Sequence, residues 1–459
     1  MKNILAAPEL SHLVATGDTA ALHEFCEHSH PAASADFISA LEPDQAWAVL
    51  KTADLPLRAE IFSHLNDGLQ TELVTTLGRD EIALVVADMP PDDRADLFRR
   101  IPEDKQEAIL PALAKAERED IRRLSAYEEG TAGSVMTSDY ATLGPDLTAS
   151  QAIERLRREA PNKETIYYAY VLDASRRLLG FVSLKDLILA RPNDLVRDIM
   201  HAEVIFARVS DDQEDAARKI QKYDLIALPV VNGGDALVGI ITHDDALDII
   251  TQEHTEDMEK LMAIAGSHEA GVYLQTPAWV HFKNRAYWIV GLAALGLVSG
   301  IIIHSYEATL MQMLILALYM PMVADTGGNT GSQSATVVVR ALALREISPR
   351  DFLKVFAKEL QVSVLLALVL GLLSWGKVMF LSQNSGIPAG FSLVKIGGAI
   401  AVALALQVVT ATIIGAMLPM IAARLKLDPA VVASPALTTI VDITGLLLYF
   451  GTARLLLGI

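Results

Sequence analysis

Apolar positions fall into three successive patterns along the chain. Residues 57 to 116 align in rows of twelve, LRAEIFSHLNDG, LQTELVTTLGRD, EIALVVADMPPD, DRADLFRRIPED and KQEAILPALAKA. Three columns are apolar in every row: Ile61, Leu73, Val85, Leu97 and Ile109; Phe62, Val74, Val86, Phe98 and Leu110; Leu65, Leu77, Met89, Ile101 and Leu113. Offsets of one and four place these columns on one helical face, and Pro or Gly near the row ends stops each helix after about two turns. The pattern predicts an all-α, superhelical stack of short helices, each burying one stripe. A single long amphipathic helix is excluded by Pro90, Pro91 and Pro102. From about Ser134 the period alternates between strand and helix, and the arrangement occurs twice. Each copy has an entry Met, a helix, an apolar strand, a turn, and then a Gly-led string that opens a second helix.

From Asn284 onward uncharged stretches dominate, and about 20 apolar residues suffice to span a bilayer. Residues 286–306 and 396–423 qualify outright, and a stretch from Leu360 is interrupted only by Lys377, which can snorkel to a boundary. Residues 308–339 and 429–453 are continuous apart from one carboxylate each, Asp325 and Asp442. The expectation is five transmembrane helices, with the C-terminus on the side opposite the N-terminal half. The positive-inside bias agrees. Arg340, Arg345, Arg350, Lys354 and Lys358 follow the second span, Arg424 and Lys426 the fourth, and Lys283 and Arg285 precede the first. The opposite connections hold only Glu307, Lys377 and Lys395.

Charge sharpens the division. The chain has 459 residues, 52% apolar, with a net charge of -18 and a mean hydropathy of +0.33. Residues 284–459 carry 11 basic and 7 acidic residues, net +4, which leaves net -22 on residues 1–283. An acidic soluble part precedes a greasy one. This excludes a purely soluble enzyme, a disordered chain and a nucleic-acid binder, whose field must attract phosphate. The N-terminal apolar run is too short for a signal-peptide core, so the soluble half is expected in the cytoplasm. One cysteine, Cys26, permits no internal disulfide and fits a reducing compartment.

The duplicated strand and helix pattern, with Gly180 to Asp186 (GFVSLKD) matched by Gly239 to Asp245 (GIITHDD), resembles a tandem CBS pair. That resemblance implies a regulatory α/β module able to bind adenine nucleotides such as ATP, with Asp186 and Asp245 as ribose ligands. Both positions also suit helix N-terminal capping. The next segment packs Asp244, Asp245, Asp248, Glu253, Glu256, Asp257 and Glu259 into one amphipathic helix. Such a run usually marks a solvated face, but here it links the paired module to the membrane half.

In that half, an ionised Asp at the bilayer centre costs about 2.5 to 3.5 kcal/mol, so Asp442 must face protein, water or a cation. Thr438 and Thr439 offer hydroxyls one turn away, and the second span brings Gly327, Gly328, Asn329, Thr330, Gly331 and Gln333. One carboxylate with neutral oxygens suits a hard divalent cation that keeps much of its water.

MPPDDRADL, the CBS pair, the acidic helix, GGNTGSQSATVVVRALAL and TTIVDITGLLLYF together resemble the MgtE family of magnesium channels along almost the whole chain. The resemblance implies four parts: a helical domain at 1–130, the CBS pair at 131–250, an acidic connecting helix at 251–283 and a pore domain at 284–459. It implies a homodimer in a bacterial inner membrane, with one pore on the two-fold axis lined by the second and fifth spans. Asp442 becomes the pore carboxylate, with Gly328 and Asn329 on its wall. Asp325 has no place in the family pattern; a pore mouth and a helix-packing polar cluster both remain open to it. Asp92, Asp93 and Asp96, facing the acids of the pair and the connecting helix, become the magnesium sensor. Two rivals are weaker. Asp325-Thr326-Gly327 spells an aspartic-protease string but lacks the β setting that string needs. A membrane-anchored sensor without transport leaves Asp442 without a reason.

Overall fold

The computed structural model describes residues 7–262, 264, 276–384, 386–388, 390–432 and 435–458. It divides into two compact units, Met1–Glu253 and His254–Ile459. Residues 263 and 265–275 of the expected connecting segment lie outside the described residues.

The first unit opens with ten short helices: α1 (Ala7–Thr16), α2 (Thr19–His28), α3 (Pro31–Ile38), α4 (Pro43–Leu50), α5 (Leu55–Ser63), α6 (Asp67–Thr76), α7 (Arg79–Asp88), α8 (Pro91–Arg100), α9 (Glu103–Ile109) and α10 (Lys115–Leu124). Successive helices begin at residues 19, 31, 43, 55, 67, 79, 91, 103 and 115, so the twelve-residue period runs well beyond rows 57–116. Every residue of the three apolar columns is buried except Leu77 and Leu110, which pack partly buried against the same core.

The repeat also carries a polar device. The fourth residue of several helices reaches back to carbonyls at or beyond the end of a preceding helix, where no intrahelical donor remains. Arg58 donates to Leu50, Lys51 and Ala53 at 2.9 to 3.0 Å. Gln70 donates to Phe62 and Ser63, and Arg94 to Val86, Ala87 and Met89 at 2.6 to 2.9 Å. α5, α6 and α8 are thereby pinned to the preceding helix by a side chain as well as by their apolar stripes.

Two three-stranded sheets follow. The first copy comprises β1 (Tyr140–Leu143), α11 (Ala149–Glu159), β2 (Thr165–Leu172), β3 (Leu178–Ser183), α12 (Leu184–Leu189) and α13 (Val196–Ile199). The second comprises β4 (Ala207–Arg208), α14 (Gln213–Tyr223), β5 (Ala227–Val231), β6 (Leu237–Thr242) and α15 (His243–Leu261). In each sheet the first strand pairs parallel with the second, and the second antiparallel with the third. Tyr140 and Tyr170 of the first copy donate their hydroxyls to Leu237 and Ala227 of the second, tying the two together. The core of the second copy also takes in Ala95 of α8 and Leu124 of α10.

The second unit holds α16 (Ala278–Ser305), α17 (Glu307–Gln312), α18 (Leu314–Ala343), α19 (Phe352–Leu381), α20 (Leu393–Arg424), α21 (Pro429–Val432) and α22 (Pro435–Leu457). Among the described residues four helices are long and apolar enough to cross a membrane, namely α16, α19 with the turn before it, α20 and α22. The expected second span, α18, has the length at 30 residues. Its run from Asp325 to Ser334 is mostly polar or glycine, which lowers its apolarity below theirs. Residues of α18, α19, α20 and α22 nonetheless share one buried core. The closest crossing is glycine on glycine. A Cβ on Gly415 of α20 would stand 2.2 Å from the Gly331 carbonyl oxygen of α18, so no other residue fits there.

Candidate functional site

The 3.6-residue period divides α18 into two faces. Gly327, Thr330, Gly331, Ser334 and Ala335 point inward and are buried. Asp325, Asn329, Gln333 and Thr336 are exposed, with Gly328 and Ser332 between them on the same side. Asp325, which the sequence could not place, thus shares a stripe with Gly328 and Asn329. On α22, Thr438 is exposed while Thr439 and Asp442 are half-buried. The two helices meet at this level, since a Cβ on Gly328 would lie 3.9 Å from Cγ2 of Thr438, its only neighbour within 4 Å among the described residues. A stripe of oxygens with two carboxylates, Asp325 on α18 and the half-buried Asp442 on α22, is therefore left partly uncovered on membrane-length helices. Hydrocarbon cannot solvate such a surface; water, a cation or a second polar face can.

Deeper in the same unit sits an acid that the sequence reading passed over. Glu359 of α19 accepts a 2.7 Å hydrogen bond from Ser334 of α18. Its place beside Lys358 in a basic loop made it look like an ordinary boundary charge.

The acidic residues named from the sequence divide into separate groups. In the first unit, Asp92, Asp93 and Asp96 on the first turns of α8 face Asp245, whose neighbours on α15 are Asp244 and Asp248. Glu164, just before β2, joins them. Burial, and then the facing carboxylates, push Asp92 well above the usual carboxylate range. Burial, reinforced by the charges of Asp245 and Asp96, takes Asp93 to about 7. Burial likewise takes Asp96 to about 6 although Arg99 pairs with it, and Glu164, more open to water, to about 7. Asp245 is raised by burial, against the hydrogen bond from Thr242. Asp92 Oδ1 is buried with no hydrogen-bond partner among the described residues. No three His, Cys, Asp or Glu side chains among those residues converge as direct ligands of one ion. A hydrated divalent cation, held through water, would supply this cluster with positive charge and a donor to Asp92. Sequence offered no signal for Glu164, a lone acid in a turn.

Glu253 stands apart, accepting from Gln213 at 2.6 Å. In the second unit Lys260 bridges Glu256 at 2.7 Å and Asp428 at 3.0 Å. Burial opposes the charge of Lys260, but these two bonds win and hold its pKa above the ordinary value. Asp257 is raised by burial and then by Asp428. Asp428 was missed because Leu-Asp-Pro-Ala reads as a plain helix start, and its Oδ1 does accept from the Ala430 N–H. Leu261 packs against a cluster to which α18, α20, α21 and α22 all contribute, the last through Leu437 and Val441. Glu259 belongs to this same last stretch of α15.

Asp186 and Asp245 occupy equivalent positions and differ in environment. Burial acts to raise Asp186, yet hydrogen bonds from Ser183 and His201 prevail and hold it below the usual range. Asp186 stays ionised on an open surface, while Asp245 lies in the acid cluster.

An uncovered polar stripe on membrane-length helices, in a chain whose first unit is lined with acids, is the arrangement expected of a membrane transporter of divalent cations. Residues 320–452 match the MgtE family described as a divalent cation transporter, residues 29–130 the MgtE intracellular N domain, and residues 132–193 and 196–252 the CBS domain. The chain is 37% identical to the magnesium transporter MgtE of Thermus thermophilus over 98% of both proteins. It is 34% identical to that of Bacillus subtilis over 86% of this chain and 84% of the relative. It resembles the solved soluble part of a magnesium transporter (TM-score 0.51, 29% identity, 54% of this chain and 97% of that one). It also resembles the cytosolic domain of the Mg2+ channel MgtE in complex with ATP (TM-score 0.50, 36% identity, 53% and 99%). The chain belongs to the MgtE family.

Proposed function

We propose that the chain conducts magnesium across a bacterial inner membrane as a homodimer, through a pore on the two-fold axis lined by α18 and α22. The observation that carries this reading is the uncovered stripe of Asp325, Gly328 and Asn329 beside Thr438 and Asp442. Two copies facing each other across that stripe would enclose a path with paired carboxylates and neutral oxygens. Magnesium surrenders its water reluctantly, so such a path would pass it largely hydrated, Asp442 supplying charge and the hydroxyl and amide oxygens receiving its waters. In this reading α18 is a span like the other four. At about 1.5 Å per residue its 30 residues exceed the roughly 30 Å hydrocarbon core, and the C-terminus lies opposite the cytoplasm.

Gating follows from the acid cluster. When cytosolic magnesium is high, hydrated ions offset the repulsion between α8 and α15 and favour a compact first unit. α15 passes this state through Lys260, paired with Asp428, and Leu261, packed on the cluster that includes α22, closing the path. When magnesium falls, the carboxylates repel, the compact state loses population and the path opens. ATP is the nucleotide for the CBS pair, supported by the ATP-bound relative, and Asp186 is the ribose ligand; Asp245 serves the cation cluster.

The test is magnesium flux into liposomes containing only this protein. Asp442→Asn keeps the shape and removes the charge, and should abolish most flux with the fold intact. Near-normal flux would refute the pore. Flux at wild-type rate that never declines with magnesium on the cytosolic face would refute the gating.

A further inference from the structure

Gln407 lies in the middle of α20 with none of its surface exposed. It belongs neither to the uncovered stripe nor to any ion pair. Its amide fills a notch made by glycines on two other helices. A Cβ on Gly327 of α18 would come within 2.3 Å of Nε2, and one on Gly445 of α22 within 2.6 Å. From this notch Nε2 donates a 2.9 Å hydrogen bond to the Val441 carbonyl. Oε1 is buried and accepts no hydrogen bond among the described residues. A buried acceptor without a donor is unfavourable, and an apolar side chain of similar volume would fill the notch without that penalty. Packing alone does not account for the amide.

The Val441 carbonyl is also the acceptor that the helical pattern assigns to the Gly445 N–H. Oε1 stands 3.1 Å from the Cβ position of Gly445, so the amide reaches both ends of the single turn that contains Asp442. We propose that Gln407 is a positioning residue for the Asp442 carboxylate, gripping the 441–445 backbone turn and setting the level and direction from which the carboxylate meets the cation. This rests on the reading of Asp442 as the pore carboxylate. Without the grip the carboxylate is present but poorly held. Cation binding then weakens while the rest of the path is unchanged, and the half-saturating concentration rises more than the maximal rate falls.

The experiment uses the full-length protein in liposomes, with a magnesium-sensitive dye inside and magnesium varied outside. Gln407→Met keeps the side-chain volume and loses the donor. The half-saturating magnesium concentration should rise roughly five- to tenfold, as expected for one buried hydrogen bond, with the maximal rate within about twofold of wild type. An unchanged half-saturating concentration in folded Gln407→Met protein overturns the proposal. If that variant does not fold, the double variant Gln407→Ala, Gly445→Ala refills part of the notch and decides by the same two outcomes. A parallel Asp442→Asn preparation keeps the two claims apart. If Asp442→Asn conducts normally, the pore reading itself fails; if it does not conduct while Gln407→Met has wild-type affinity, only the positioning role fails.

Discussion

Replacing Asp245 by Asn should stabilise the metal-free fragment and weaken its response to magnesium. Asp245 faces Asp92 and Asp93 across the contact between α8 and α15, and the change removes one charge while keeping an oxygen to accept from Thr242. Unit charges about 5 to 6 Å apart repel by roughly 1 to 3 kcal/mol at effective dielectric constants of 20 to 40. For a fragment of this size about 1 kcal/mol corresponds to a melting shift of roughly 2 to 4 °C. In EDTA at pH 8 the Asp245→Asn fragment ending after α15 should therefore melt about 3 to 10 °C higher than wild type. Magnesium at about ten to a hundred times a site's dissociation constant should stabilise wild type by roughly 1.4 to 2.7 kcal/mol per ion, and the variant by less than half as much. The wild-type pH dependence has a definite sign. Asp93 near 7 and Asp96 near 6 keep protons that the unfolded chain has already released. Metal-free stability should thus fall as pH rises from about 5 to 8, and magnesium should flatten the slope. Differential scanning fluorimetry in magnesium chloride, with sodium chloride of matched ionic strength as control, reads all of this. The reasoning fails if the variant melts at or below wild type in EDTA, or if sodium stabilises as much as magnesium.

Gly328→Leu should abolish flux in folded protein, because among the described residues only Thr438 borders that position and a branched side chain would extend into the uncovered stripe; liposome flux at more than half the wild-type rate would contradict it. ATP should bind the cytosolic fragment with measurable heat, and Asp186→Ala should weaken it at least about tenfold, the loss of charge-assisted bonds to a ribose; no heat at millimolar ATP would remove the nucleotide from the account. Arg94→Ala should cost about 3 kcal/mol or more by leaving three carbonyls without their donor, which denaturant unfolding of the fragment would read. Lys260→Ala should impair magnesium-dependent closure, since it leaves Glu256 and Asp428 without their shared cation; normal closure would argue against α15 as the coupling element.

The local pattern carried the short helices, the duplicated α/β units and the membrane helices, because each follows from periodicity or from an uncharged run. It also singled out Asp442 and Gly328–Asn329 as the pore lining proposed here, since an isolated carboxylate in apolar sequence needs an explanation wherever it falls. The early helices of the twelve-residue array escaped because their apolar columns are irregular; Pro31 and Pro43, twelve residues apart at helix starts, were the available signal. Tertiary structure decided what depends on neighbours distant in the chain. Asp186 and Asp245 close the same local string, yet one is held ionised by Ser183 with help from the distant His201, and the other is pressed against the acids of α8. Glu164, Asp428 and Gln407 carry no local mark at all. Their importance comes from the charges and carbonyls that folding sets opposite them, and a lone residue's chemistry does not specify what will face it.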